Sequence, residues 1–134
     1  MAQNALTTNL SMESSSEIKT KRRVFISTGE VSGDWHGAIL IEGLRERAAL
    51  RGIELEIVGL GGDRMVATGA RILGNTVGIG SIGAVEALPY ILPTLKVQRD
   101  AKQWLKTAPP DVVVLIDYMM PNQSMGHYAK HTLK

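Results

Sequence analysis

Ser27-Thr28-Gly29-Glu30-Val31-Ser32-Gly33-Asp34-Trp35-His36-Gly37 is the stretch on which the reading of the fold turns. It follows Val24-Phe25-Ile26, whose β-branched and aromatic residues suit a buried strand, and it precedes a helical pattern. A strand-to-helix turn is therefore expected. Glycines at 29, 33 and 37 permit positive φ and let a ligand or a second chain segment come close. Ser32 is expected as the helix N-cap, and Asp34 in the first turn suits the positive end of the helix dipole. Turns of this kind open nucleotide- or sugar-binding α/β domains. The plainer alternative is that Gly33 and Asp34 only start a helix.

Downstream, Ala38-Ile39-Leu40-Ile41 through Arg51 reads as an amphipathic helix, with Gly37, Leu40, Ile41, Leu44 and Ala48 at spacings of three and four and Gly52 as its end. Glu42, Arg45, Glu46 and Arg47 are expected on its solvated face. Ile53-Glu54-Leu55-Glu56-Ile57-Val58 alternates and then turns apolar, a second strand. It runs into a second glycine-rich turn, Gly59-Leu60-Gly61-Gly62-Asp63-Arg64-Met65. A short helix to Gly69 and a weak strand at Arg71-Ile72-Leu73 follow. Strand, helix and strand in alternation imply a parallel sheet with right-handed crossovers, whose ligands sit beyond the carboxyl ends of the strands.

Gly78-Ile79-Gly80-Ser81-Ile82-Gly83 satisfies the dinucleotide pattern G-x-G-x-x-G. It follows the third strand rather than the first, and its nearest acidic candidate, Asp100, falls inside a helical pattern, so close-packed or flexible backbone is the better reading. From Ala84 to Lys106 the pattern is helical, and Pro89 and Pro93 are expected to kink or divide it. Val85, Leu88, Ile91, Leu92 and Leu95 make a broad apolar stripe flanked by Lys96, Arg99, Lys102 and Lys106, which suits either a core face or an anionic bilayer surface.

Pro109-Pro110 stops that helix, and Asp111-Val112-Val113-Val114-Leu115-Ile116-Asp117 is the clearest buried parallel strand. Asp117 is then expected at the carboxyl end of a central strand, on the edge where the glycine turns lie. A partly desolvated carboxylate there can act as a general base on a bound hydroxyl, or it can bond backbone amides of the next loop. From Asn122 onward a last helix begins. His127 and His131 are four apart, but no third ligand of suitable spacing accompanies them, so no metal is expected. His36 reads as a loop residue. Neither G-x-S-x-G nor a Walker A sequence is present.

The 134 residues fit one domain, and 44% hydrophobic residues are enough for a buried core. Fifteen basic against 13 acidic residues give a net charge of +2 without a long like-charge block, so nucleic acid is not an expected partner. The absence of cysteine excludes disulfides, thiol nucleophiles and thiolate metal sites, in keeping with a cytoplasmic location. Residues 1–20 read as a disordered polar tail before a Rossmann-like domain over 21–134. The longest apolar helical pattern is interrupted by Pro89 and Pro93 and falls short of the roughly 20 residues of a membrane span.

Taken together, Ser27 to Asp34, Gly59-Leu60-Gly61-Gly62 with Arg64-Met65 and Gly69, Ile82-Gly83-Ala84-Val85-Glu86-Ala87-Leu88, and Pro110 to Asp117 followed by Pro121-Asn122 resemble the lipid-A-disaccharide synthases. The order and spacing of these stretches carry the resemblance. It implies the amino-terminal part of a B-type glycosyltransferase, in which two Rossmann-like domains face across a cleft. The implied reaction joins UDP-2,3-diacylglucosamine to 2,3-diacylglucosamine 1-phosphate, giving lipid A disaccharide phosphate and UDP, without cofactor or metal. By resemblance Asp117 is the catalytic base, and Gly29, Glu30, Ser32, Gly33, Asp34, Gly61 and Asn122 form the acceptor-side wall of the cleft. The helix after Gly83 is implied to approach acyl chains at the cytoplasmic face of the inner membrane.

The chain departs from the family pattern at Tyr118-Met119-Met120-Pro121-Asn122, which keeps the spacing to Asn122 but loses a second acid. Family members are also much longer, the additional part including a UDP-binding domain. The isolated chain is therefore expected to lack transferase activity and to self-associate through an incomplete sheet edge. Alternative readings are a non-catalytic lipid- or membrane-surface-binding module, or a fragment of another B-type sugar-nucleotide enzyme.

Overall fold

A computed structural model describes residues 19–77 and 88–133, of which Leu88 and Tyr90 are described by their backbone only. The elements run β1 (Thr20–Thr28), α1 (Glu30–Leu50), β2 (Ile53–Gly61), α2 (Asp63–Ala67), β3 (Arg71–Asn75), α3 (Leu88–Thr107), β4 (Val112–Ile116) and α4 (Met119–Thr132). The four strands are all parallel and lie in the order β3-β2-β1-β4. This is the expected α/β, Rossmann-like sheet with flanking helices. The dinucleotide-like Gly78–Gly83 run, Val85 and most of the polar tail lie outside the described residues.

Alternation along β1 sends side chains to two separate cores. Val24 and Ile26 join Ile41 of α1, Ile57 and Met65 on one face, while Phe25 joins Val58, Leu60, Ala101 and Leu105 of α3 and Met125 of α4 on the other. The sheet is thus covered on both faces, as parallel sheets require. The strand extends four residues upstream of Val24 because Thr20 to Arg23 pair in register with Ile53 to Glu56. Lys21 meets Glu54 at 3.2 Å and Arg23 meets Glu56 at 2.7 Å across that pairing.

Two expectations about the opening turn are corrected. Helix α1 starts at Glu30 with Gly29 as its N-cap at φ −131°, so Ser32 is an exposed residue inside the helix and caps nothing. The glycines serve close approach rather than positive φ: a Cβ on Gly37 would stand 2.6 Å from Met65 Sδ, and one on Gly59 would collide with the backbone of Ile26. The second turn is likewise shorter than expected, because Gly59 to Gly61 are the end of β2 itself. Helix α3 runs unbroken through Pro93, which costs one backbone hydrogen bond near the start of the helix.

Candidate active site

The chain moves outward from β1 through β2 to β3 and then crosses back, so β4 lies on the other side of β1. The carboxyl ends of β1 and β4 therefore flank the topological switch point, where open α/β sheets bind their ligands. Thr28 pairs with Ile116 in the last register step, which sets the β1 turn at Gly29-Glu30 beside the β4 turn at Asp117-Tyr118. The contact is tight, since a Cβ on Gly29 would overlap the Tyr118 ring.

Backbone strain is concentrated at this place. Among the described residues the non-glycine positions of positive φ are Glu30 at 60°, Asp117 at 49° and Tyr118 at 60°, and all lie in these two turns. Such conformations cost on the order of 1–3 kcal/mol each and persist where their surroundings over-determine them. Asn122 supplies much of that constraint. Its buried Nδ2 donates to the carbonyls of Ser27 and Ile116 at 3.2 Å each and to that of Asp117. One amide thus ties the end of β1 to the end of β4. Asn122 Oδ1 and Ser27 Oγ are buried without a hydrogen-bond partner among the described residues.

Asp117 itself is exposed, and its Oδ1 accepts the Tyr118 N–H at 2.9 Å. The partial desolvation expected of it is absent in this chain, because its turn carries the carboxylate out of the sheet. Asp117 borders an open groove of about 460 Å³ with Asn122, Gln123 and His127. Gln123 and His127 escaped the sequence reading, which started the last helix too late and paired His127 with His131. The helix starts at Met119, and the 123/127 spacing then places both residues on one face. The two histidine rings lie 4.4 Å apart at 43°.

Asp34 has a different task. It is only 4% exposed, and its carboxylate accepts N–H groups from Gly62 at 2.8 Å, Arg64 at 3.0 Å and Met65 at 3.1 Å. It caps α2 from a distance instead of serving the dipole of its own helix. Gly61 is buried beneath Met65 and Thr28, and Gly33 packs against Thr28, so both hold segments close together. Thr76 was not foreseen, yet its hydroxyl bonds the Thr28 carbonyl at 2.6 Å and joins the segment after β3 to the same cluster. Glu30 is half-buried and Ser32 exposed at the rim.

Helix α3 passes the site at Thr94, and burial pushes the Tyr118 hydroxyl upward more than the nearby Thr94 lowers it, so the hydroxyl stays protonated beyond its usual range. Around this contact Ile91, Leu92 at 77% and Leu95 on α3, with Met119 and Met120 at 78% on α4, are exposed apolar side chains. The buried face of α3 begins later, at Gln98, Ala101 and Leu105. No described helix is long and apolar enough to cross a membrane.

Comparison with known proteins bears on the same residues. The family model described as lipid-A-disaccharide synthetase matches residues 24–134. A lipid-A-disaccharide synthase of Gloeothece citriformis is 59% identical over 111 residues, covering 83% of this chain and 29% of that protein. That of Synechocystis sp. is 51% identical over 110 residues, covering 82% and 28%. That of Geobacter sulfurreducens is 35% identical over 112 residues, covering 83% and 28%. The chain thus spans under a third of the length of these relatives.

Proposed function

The chain belongs to the lipid-A-disaccharide synthetase family, and from that premise we propose that it carries the acceptor side of a glycosyltransferase of lipid A biosynthesis, with Asp117 as general base. In the reaction so proposed, the acceptor hydroxyl of 2,3-diacylglucosamine 1-phosphate gives its proton to the Asp117 carboxylate. Its oxygen attacks the anomeric carbon of UDP-2,3-diacylglucosamine as the bond to the diphosphate breaks, and UDP leaves with the electron pair. Glu30, Ser32 and Gln123 are positioned to orient the acceptor. Gly29, Gly33, Asp34, Gly61 and Asn122 act by fixing the two turns.

The observation that carries this reading is that, among the described residues, left-handed non-glycine backbone is confined to Glu30, Asp117 and Tyr118 at the switch point. Strain of this kind is kept where presenting a side chain matters more than stability. Exposure of Asp117 fits a base that is desolvated only when substrate and an opposing domain close over it.

The test is a chimera joining this chain to the remainder of the Gloeothece citriformis relative. UDP release from the chimera is expected, with Asp117→Asn lowering turnover about a hundredfold while the fold is kept. A near-normal rate in Asp117→Asn would assign the residue to structure. The 134-residue polypeptide on its own is expected to release no UDP.

A second reading, contact with the cytoplasmic face of the inner membrane or with acyl chains, is favoured by the exposed Ile91, Leu92 and Leu95 on α3 and Met119 and Met120 on α4. Val85 and Leu88 belong to the same apolar stripe in the sequence. Sedimentation with anionic liposomes should weaken for Leu92→Ser with Leu95→Ser. Unchanged binding removes this reading. Among the described residues β4 is an edge strand with Val112 and Leu115 exposed, and it is the proposed place of self-association.

A further inference from the structure

A concavity of about 590 Å³ opens where the strands begin, at the edge opposite Asp117. Basic side chains from three elements converge on it, Lys21, Arg22 and Arg23 of β1, Arg45 of α1 and Arg71 of β3, while β2 contributes Glu54 and Glu56. The carboxylates present are already engaged. Glu54 holds Lys21 at 3.2 Å, Glu56 holds Arg23 at 2.7 Å, and Asp111 holds Arg22 at 3.4 Å while also accepting the Arg23 N–H at 2.7 Å. Arg45 and Arg71 have no acidic partner among the described residues.

Two further observations point to an anion. Arg45 Nε is buried and has no hydrogen-bond acceptor in the protein, although a buried guanidinium donor normally finds one. The guanidinium groups of Arg23 and Arg71 lie 5.6 Å and 5.5 Å from the ring centre of the same residue, Trp104. Glu56 balances Arg23, so Arg71 is the guanidinium at this indole whose charge no carboxylate among the described residues offsets, and an anion there would offset it. The planar donor fork of arginine suits tetrahedral oxyanions.

We propose that this amino-edge cleft is a binding site for a phosphate-bearing ligand, with Arg45 and Arg71 as its principal ligands. It is separate from the Asp117 groove and does not depend on the transferase reading. Arg45, read from sequence as solvated surface, is its inner wall.

The isotope-labelled 134-residue chain in chloride buffer, titrated with inorganic pyrophosphate, tests the site by resonance shifts at Gly69, Arg71 and the Trp104 indole. Saturable shifts are expected there, with Asp117 unaffected. Arg71→Gln and Arg45→Gln should each weaken binding about tenfold, whereas Arg99→Gln, which removes the same charge from an exposed position on α3, should leave it unchanged. Circular dichroism verifies the fold of each variant. Should Arg45→Gln unfold, Arg71→Gln and Arg71→Lys decide, the lysine keeping charge without the fork. Vesicles of phosphatidic acid in phosphatidylcholine distinguish the source of the phosphate: pyrophosphate binding alone means a soluble ligand, and Arg71-dependent sedimentation with vesicles means a lipid headgroup. Saturation by neither, or an equal loss in Arg99→Gln, overturns the site.

Discussion

Two aspartates follow the strands that meet at the switch point, and the fold treats them in opposite ways. Asp34, one turn into α1, is buried and bonded by three backbone amides of a segment 28 to 31 residues away. Asp117, at the end of β4, is exposed, held in left-handed backbone, and bonded to its own neighbour. One aspartate stabilises the site and the other is held at a cost. The difference teaches that a strand-end carboxylate is read as chemistry or as scaffold by what its oxygens already accept.

The largest expected effect breaks the scaffold side. Asp34→Ala strips a buried acceptor from three amides and should lower stability by about 3–5 kcal/mol in denaturant unfolding. A loss under about 1 kcal/mol would show that water replaces the carboxylate. Asn122→Ala comes next, at about 2–3 kcal/mol, since it releases the carbonyls of Ser27, Ile116 and Asp117 together. Gly37→Ala should cost about 1 kcal/mol, because the methyl meets the flexible end of Met65 rather than backbone.

The sharpest contrast is a single substitution made at both sites. Asp34→Gly should destabilise about as much as Asp34→Ala, whereas Asp117→Gly should be neutral or stabilise by up to about 1 kcal/mol by relieving positive φ. Destabilisation by Asp117→Gly would show that the strained turn is held by the carboxylate itself.

The smallest effect concerns pH. Burial raises the Tyr118 hydroxyl above the usual tyrosine value of 10.0. The folded chain therefore holds that proton more tightly than the unfolded chain. This contribution to stability is complete below pH 10.0 and is lost as pH rises through the folded value. Tyr118→Phe should flatten the alkaline decline in melting temperature; an unchanged decline would exclude this hydroxyl as its source.

Much of this was legible in the chain. The continuous apolar run from Val112 to Ile116 and the glycine turns after successive strands pointed to a parallel sheet with Asp117 at a strand end, but β4 is not the buried central strand expected: it lies at the edge of the described sheet with Val112 and Leu115 exposed. The start of α1 at Glu30 was missed because Ser32 offered a more familiar N-cap than Gly29, although Glu30 suits a first turn; Gly33 and Gly37 then pack closely against Thr28 and Met65. Similarly, α4 began earlier than its pattern suggested, and this brought Gln123 and His127 beside Asp117.

By itself the sequence determined the class of fold, the edge on which a site could form, and the family, because hydrophobic periodicity and glycine spacing are local properties of the chain. The tertiary structure decided which aspartate is scaffold, where the backbone is strained, and that Arg45 lines a cleft instead of facing water. Each of these depends on partners far away in sequence, Asp34 on Gly62 and Asn122 on Ser27, and no local pattern encodes which distant amide or carbonyl a side chain will meet.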